Sequence, residues 1–165
     1  MIGLNSFDDS KYLIFMILSS KDWMLVAIEE ALKAKSLNEV PVGAIVIKEN
    51  KIIGAGFNSV IRDHSVTAHA EINAINAACK TINNYRLVNC DLYVTLEPCH
   101  MCAKAIVDAR IDNVYFAAFE PKTGSIFSVD NFFDKKFLNH KVNYVAGLMR
   151  EDSAQLLKDF FRPRR

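Results

Sequence analysis

The chain has almost no net charge. Its 20 lysines and arginines face 19 aspartates and glutamates, a formal balance of +1 over 165 residues. A global basic field is missing, so any case for a nucleic-acid partner must rest on a local patch. A long apolar run is missing as well. The run Tyr12–Leu18 after Lys11 is far shorter than the ~20 residues a membrane span needs, so no membrane partner is expected. It has the look of a short signal-peptide core, yet no small-residue cleavage site follows it, only Ser19, Ser20, Lys21 and Asp22. Residues 1–20 therefore read as an N-terminal extension, either packed or upstream of a start at Met16 or Met24. Repeats, low-complexity tracts and interdomain linkers are lacking, which leaves residues 21–165 as one domain. Cysteine is sparse: Cys79, Cys90, Cys99 and Cys102 are too few, in too long a chain, to imply a disulfide scaffold. The compartment reads as reducing and cytoplasmic.

What is present suits one globular core: 51% hydrophobic residues, 24% charged and eleven phenylalanines. Ser19 or Ser20 caps a helix through about Ser36, with Asp22 in capping-box position after Ser19. Its apolar face carries Trp23, Ala27, Ile28, Ala31, Leu32 and Ala34, and Glu29, Glu30, Lys33 and Lys35 face water. Val42–Ile47 is a continuous apolar strand, as expected where both faces are covered. Glu49-Asn50 turns the chain into Ile52–Phe57, so the two runs predict a hairpin. A polar stretch over 58–67 leads to an alanine-rich helix, Ala68–Cys79. Then come a strand at Leu92–Leu96, a helix at Cys99–Ala109 and a strand at Val114–Ala118. After a polar loop over 120–130 and the aromatic segment Phe132–Phe137, a last strand is expected at Val142–Val145. The last helix, Arg150–Phe161, should turn Leu156, Leu157, Phe160 and Phe161 inward. A hairpin followed by strand–helix alternation predicts a three-layer α/β/α sandwich around a five-stranded mixed sheet.

Two motifs carry chemistry, and each sits where a loop enters a helix, the place where sites collect in α/β sheets. The first is His69-Ala70-Glu71; the second is Pro98-Cys99-His100-Met101-Cys102. An imidazole and two thiolates are good zinc ligands, and three protein ligands leave a fourth position for water, as in catalytic zinc sites. Cys99 and Cys102, at i and i+3, project from one helix face, and the helix N-terminus favours thiolate. Glu71 need not bind the metal; a carboxylate beside activated water can carry its proton to a ring nitrogen and a leaving amine. This H-x-E…P-C-x-x-C order is the known signature of zinc-dependent nucleobase deaminases. A closed structural site remains the other reading of the ligands, with His64, His100, Cys79 or Cys90 as the fourth. His100 should point off the ligand face, and Cys79 and Cys90 read as small core residues.

From about Trp23 onward the chain resembles the bacterial tRNA-specific adenosine deaminases, in the cytidine and deoxycytidylate deaminase superfamily. The resemblance rests on Pro41-Val42-Gly43-Ala44, Phe57-Asn58, Thr67–Glu71, Asn84–Leu87, Leu92–Cys99, Lys122-Thr123-Gly124, Asn139-His140 and Asp159–Arg162. It implies a cytidine-deaminase-like fold, one zinc ion per subunit, a homodimer, and conversion of the wobble adenosine of an arginine tRNA anticodon to inosine. His69, Cys99 and Cys102 would then be the zinc ligands and Glu71 the proton shuttle. Asn58 resembles the asparagine that hydrogen-bonds the flipped base, with Val42, Ala70 and Leu96 around it. The sequence departs from the family at Ser65-Val66, where relatives carry Asp-Pro, at Phe119-Glu120-Pro121, and at Phe57, where tryptophan is common. These departures fall on the expected substrate rim.

The tail supplies the local patch that the whole chain lacks. Lys158, Arg162, Arg164 and Arg165 stand against one acid, Asp159, with Phe160 and Phe161 between. Such a stretch suits contact with the backbone of a tRNA anticodon stem-loop, with Phe160, Phe161, Arg162 and Lys122 as candidate contacts and Arg62 as a weaker one. Two other functions share the metal pattern: deamination of a free cytidine or guanine-type base or nucleotide, and a catalytically silent zinc protein that only binds RNA. The Lys122-Thr123-Gly124 motif and the Phe-Phe-Arg tail speak against the first, and Glu71 against the second.

Overall fold

The computed structural model describes residues 19–164; the Tyr12–Leu18 run lies outside them. The elements are α1 (Ser20–Ser36), β1 (Gly43–Lys48), β2 (Lys51–Phe57), α2 (Ala70–Ile82), β3 (Asp91–Leu96), α3 (His100–Asp108), β4 (Asn113–Ala118), β5 (Asn143–Ala146) and α4 (Arg150–Phe161). They make a five-stranded mixed sheet of order β2-β1-β3-β4-β5. β1 runs antiparallel to β2 and β3, and β3, β4 and β5 are parallel.

Local chemistry explains most of these elements. Ser19 accepts the Asp22 backbone N–H and Asp22 returns a bond to the Ser19 N–H, so the capping box that starts α1 is complete. Glu49 and Asn50 both adopt positive φ, 49° and 59°, as a two-residue type I′ hairpin turn requires. Alternation sorts the sheet onto two faces. Ala44, Val46, Leu92, Val94, Val114 and Phe116 join α2 and α3 in the larger core. Ile45, Ile47, Tyr93 and Ala117 pack with Trp23, Met24 and Ala27 of α1 on the other side. The result is the expected three-layer α/β/α arrangement.

The seam between β2 and α2 decides where the site lies. A methyl group added at Gly54 or Gly56 would fall onto the backbone of Ala74 or Ala78. Glycine on the strand and alanine on the helix therefore let the two backbones approach closely. That contact holds the first turn of α2, with His69 and Glu71, over the end of the sheet.

Several details differ from the sequence reading. α2 begins at Ala70 because His69 is its extended N-cap, and it continues to Ile82, where Asn83 closes it at φ 52°. β5 starts one residue later than expected, since the Asn143 N–H pairs with the Asp112 carbonyl at the strand's entry. Phe132 and Phe133 are buried in a single 3₁₀ turn, whereas Phe137 is 72% exposed. On α4, Phe160 is buried but Phe161 is exposed, although the two rings meet edge to face with centroids 5.2 Å apart. Period-3.6 reasoning cannot turn two consecutive large side chains to one side.

Candidate metal centre and active site

His69 and Cys99 occupy equivalent places. Each is the extended N-cap of its helix, with ψ of 154° and 173°, and neither side chain caps its own helix. Both are therefore free to turn toward each other. Cys102, one helical turn on, brings its sulfur to the same point. The Cys99 and Cys102 sulfurs lie 3.7 and 3.5 Å from His69 Nδ1, and the three ligand atoms all lie within 4.8 Å of one another. Around a tetrahedral zinc with Zn–S near ~2.3 Å and Zn–N near ~2.0–2.1 Å, a sulfur and a nitrogen stand roughly 3.6 Å apart. The donor set and its spacing fit zinc, with Nδ1 as the imidazole donor. Among the described residues the cluster has three members. His100 turns away to Asp130 at 3.0 Å. Cys79 and Cys90 donate to the Tyr85 and Val88 carbonyls, and burial pushes both thiols up.

The electrostatics suit cation binding. Cys102 and His69 hydrogen bonds hold the Cys99 thiol down to about 3, and contact with Cys99 together with burial pushes Cys102 up. The pair thus loses one proton readily and retains the second until a cation displaces it. The hydrogen bond to Cys99 raises His69, against its desolvation. Burial pushes the Glu71 carboxyl up to about 7. A carboxyl poised there can both take and return a proton near neutral pH.

Beside the cluster opens a cavity of about 290 Å³ whose wall includes His69, Glu71, Cys99, Asn58, Val42 and Leu96. The remaining wall was not singled out as pocket lining from the sequence: Glu39, Val40, Val60, Ile61, Glu97, Glu120 and Thr123. Asn58 is buried, and among the described residues its carboxamide has no hydrogen-bond partner, which leaves it free for a ligand. Ala70 is fully buried behind the wall and does not line it. A second groove of about 770 Å³ shares Val40, Leu96 and Glu120 with the first and is walled by Lys158, Phe161 and Arg162 of the tail. Phe160 lies beneath this surface, with the Arg164 guanidinium 3.8 Å from its ring centroid. Lys122 is exposed and off both walls, and Arg62 lies over the Phe57 ring and pairs with Asp63. Of the departures from the family pattern, Glu120 reaches the cavity, and Val66 is 83% exposed on the surface.

Glu97 has a structural role that its place in the sequence does not announce. Its Oε1 accepts the Phe127 and Ser128 N–H groups at 2.7 and 2.8 Å, and its Oε2 accepts the Glu120 N–H at 3.1 Å and the Ser128 hydroxyl. Despite burial, these bonds hold its carboxyl below the usual range. The Pro98 carbonyl accepts both the N–H and the hydroxyl of Ser125, and Cys99 bridges to Gly124. The loop over 120–128 is thereby fixed against the segment that carries Cys99. Its only prior signal was a glutamate next to Pro98-Cys99.

Comparisons with known proteins agree with this geometry. Residues 18–118 match the family described as the cytidine and deoxycytidylate deaminase zinc-binding region. The chain is 47% identical to the tRNA-specific adenosine deaminase of Haemophilus influenzae, covering 86% of this chain and 83% of that protein. It is 46% identical to the tRNA-specific adenosine deaminase of Aquifex aeolicus, covering 86% and 94%. A solved structure from studies of A-to-I editing by tRNA:A34 deaminases superposes with a TM-score of 0.80 at 41% identity, covering 82% of this chain and 98% of that one. A guanine deaminase from Bacillus subtilis superposes at 0.61 and 31%, covering 78% and 85%.

Proposed function

Because the chain belongs to the tRNA-specific adenosine deaminase family, within the cytidine and deoxycytidylate deaminase zinc-binding group, we propose that it hydrolyses the wobble adenosine of a tRNA anticodon to inosine. The arginine tRNA is the expected substrate. One observation carries the reading: Glu71 lines a cavity with His69 and Cys99 of the three-ligand His69–Cys99–Cys102 site, and that cavity shares Val40, Leu96 and Glu120 with a groove bearing Lys158, Phe161 and Arg162.

His69, Cys99 and Cys102 would hold the zinc ion, which would supply Lewis-acid activation of water. Glu71 takes the proton that water loses on adding to C6 and gives it to N1. The C6–N6 bond then breaks, the amine leaves as ammonia after receiving a proton by way of Glu71, and inosine remains. Asn58 orients the base through its free carboxamide, and Val42 and Leu96 keep bulk water from the ring. An anticodon loop offers splayed bases, so little stacking must be undone to seat one. Lys158 and Arg162 contact the RNA backbone, and exposed Phe161 offers a face for stacking.

The same reading places the enzyme in the cytoplasm as a homodimer of single deaminase domains, residues 21–165, with one zinc ion per subunit. Among the described residues no helix is long and apolar enough to cross a membrane. Light scattering tests the dimer. The activity is tested by incubating the protein with an arginine tRNA anticodon stem-loop and measuring inosine, with free cytidine and guanine in parallel. Inosine in the RNA is expected. Turnover of a free base or nucleoside with none in RNA would transfer the chain to small-molecule chemistry, and RNA binding with no turnover at all would make it a silent copy.

A further inference from the structure

Four carboxylates line the catalytic cavity: Glu39, Glu71, Glu97 and Glu120. Three have evident work. Glu71 adjoins the metal ligands, Glu97 is saturated by donors of the 120–128 loop, and Glu120 accepts the Lys122 N–H at 2.9 Å. Glu39 differs. It is 1% exposed, its Oε1 accepts the Arg62 backbone N–H at 2.6 Å, and its Oε2 is buried with no hydrogen-bond partner among the described residues. Among those residues one other side-chain N or O atom that is itself wholly shut from solvent lacks a partner, Ser153 Oγ on α4, and Ser153 lines neither the cavity nor the groove. A buried acceptor without a donor is destabilising, and more so for a carboxylate. Such an atom calls for a partner from outside the chain, an ordered water or a bound ligand, or for a functional role.

The surroundings narrow what that ligand is. Glu39 shares its stretch of wall with Val40, Val60 and Ile61, whose side chains are all apolar, so the Glu39 carboxylate is the polar side chain an arriving group meets there. The metal-ligand cluster does not include Glu39, and a cation would need several oxygen or nitrogen ligands where this wall offers one. Val40, the next residue, also lines the outer groove, which places Glu39 beside the passage between groove and cavity. A nucleotide in that passage presents two kinds of donor, the ribose hydroxyl and the N–H groups of a base edge.

We propose that Glu39 is a specificity-determining residue whose Oε2 accepts a hydrogen bond from an N–H or hydroxyl donor of the RNA nucleotide seated at the cavity mouth. The inference rests on the RNA-deaminase reading above. A charged acceptor there also disfavours any substrate that presents a carbonyl or phosphate oxygen at the same point.

Glu39→Gln is the discriminating variant. Its amide oxygen still serves the Arg62 N–H, while an NH₂ donor replaces the free acceptor. Inosine formation on the anticodon stem-loop is measured per zinc-loaded, folded enzyme. The variant should match wild type in zinc content and remain folded at the assay temperature, with kcat/KM lower by roughly 10- to 100-fold, the range for one hydrogen bond to a charged group. A second substrate, 2′-deoxy at the edited nucleotide, separates the two donors. If the deficit disappears there, the donor is the hydroxyl; if it persists, the donor is a base N–H. A kcat/KM equal to wild type on the all-ribose stem-loop overturns the proposal, as does a fall that only mirrors lost folded protein. Wild-type enzyme that forms no inosine would instead remove the reading on which the proposal stands.

Discussion

Replacing Glu97 by glutamine should loosen the wall of the active site without touching a metal ligand. The carboxylate accepts three backbone N–H groups and one hydroxyl from residues 120, 127 and 128. Glutamine keeps the shape but has only one acceptor atom. Its amide oxygen is best placed at Oε1, where two N–H groups converge, which leaves the NH₂ facing the Glu120 N–H and the Ser128 hydroxyl. The hydroxyl can rotate to accept; the N–H cannot, and it loses its partner. Hydrogen bonds to a charged group contribute about 1.5–3 kcal/mol and neutral ones about 0.5–1.5, and an orphaned buried N–H costs about 1–3. Two bonds weakened and one donor orphaned therefore come to about 3–5 kcal/mol. At about 2–4 °C per kcal/mol for a domain of this size, the smaller figure already lowers the unfolding midpoint by about 6–12 °C. Thermal unfolding at neutral pH reads this directly, with zinc content measured in parallel. The acid limb supplies a second reading. Because the folded Glu97 carboxyl lies below its unfolded value, its stabilisation is full above the unfolded pKa and fades as pH falls through the folded one. The variant should lack that part of the acid dependence. A midpoint and acid limb that both coincide with wild type would refute the assignment of Glu97 as the anchor of the 120–128 loop.

Glu71→Ala should bind zinc in full and lose deamination by about 10² to 10⁴ or more, the range for a lost proton carrier; full activity alongside normal metal content would sink the shuttle assignment. Removing zinc with a chelator should lower the unfolding temperature of the wild type, and restoring it should raise the temperature again, because a ligand bound only to the native state stabilises it. Cys99→Ala should show little of either shift, and a full response from that variant would contradict the ligand set. Deleting residues 162–165 removes Arg162 from the groove, so RNA affinity should fall and the slope of log K against log salt should flatten by about 0.7–0.9 per lost phosphate contact. An unchanged slope in filter binding would take the tail out of the RNA interface.

The metal site was legible in the chain because its determinants are local. Ligand chemistry, the three-residue spacing of Cys99 and Cys102, and the loop-to-helix positions of His69 and Cys99 are all properties of short segments. The capping box at Ser19 and the Glu49-Asn50 turn were legible for the same reason, and so was the alternation that assigns each strand residue to a face. The roles of Glu97 and Glu39 were not. Their partners lie 23 to 31 residues away, and nothing in the residue itself records which donors the folded chain will bring to it. The tail is intermediate. Its charge could be counted from the sequence, but only packing decided that Phe160 turns inward beneath Arg164 while Phe161 and Arg162 line the groove. Composition and spacing therefore determined the chemistry at the metal. Tertiary structure decided the shape of the cavity, the loop that closes over it and the one fully buried carboxylate oxygen without a partner among the described residues, because each of these depends on segments distant in sequence meeting at the end of the sheet.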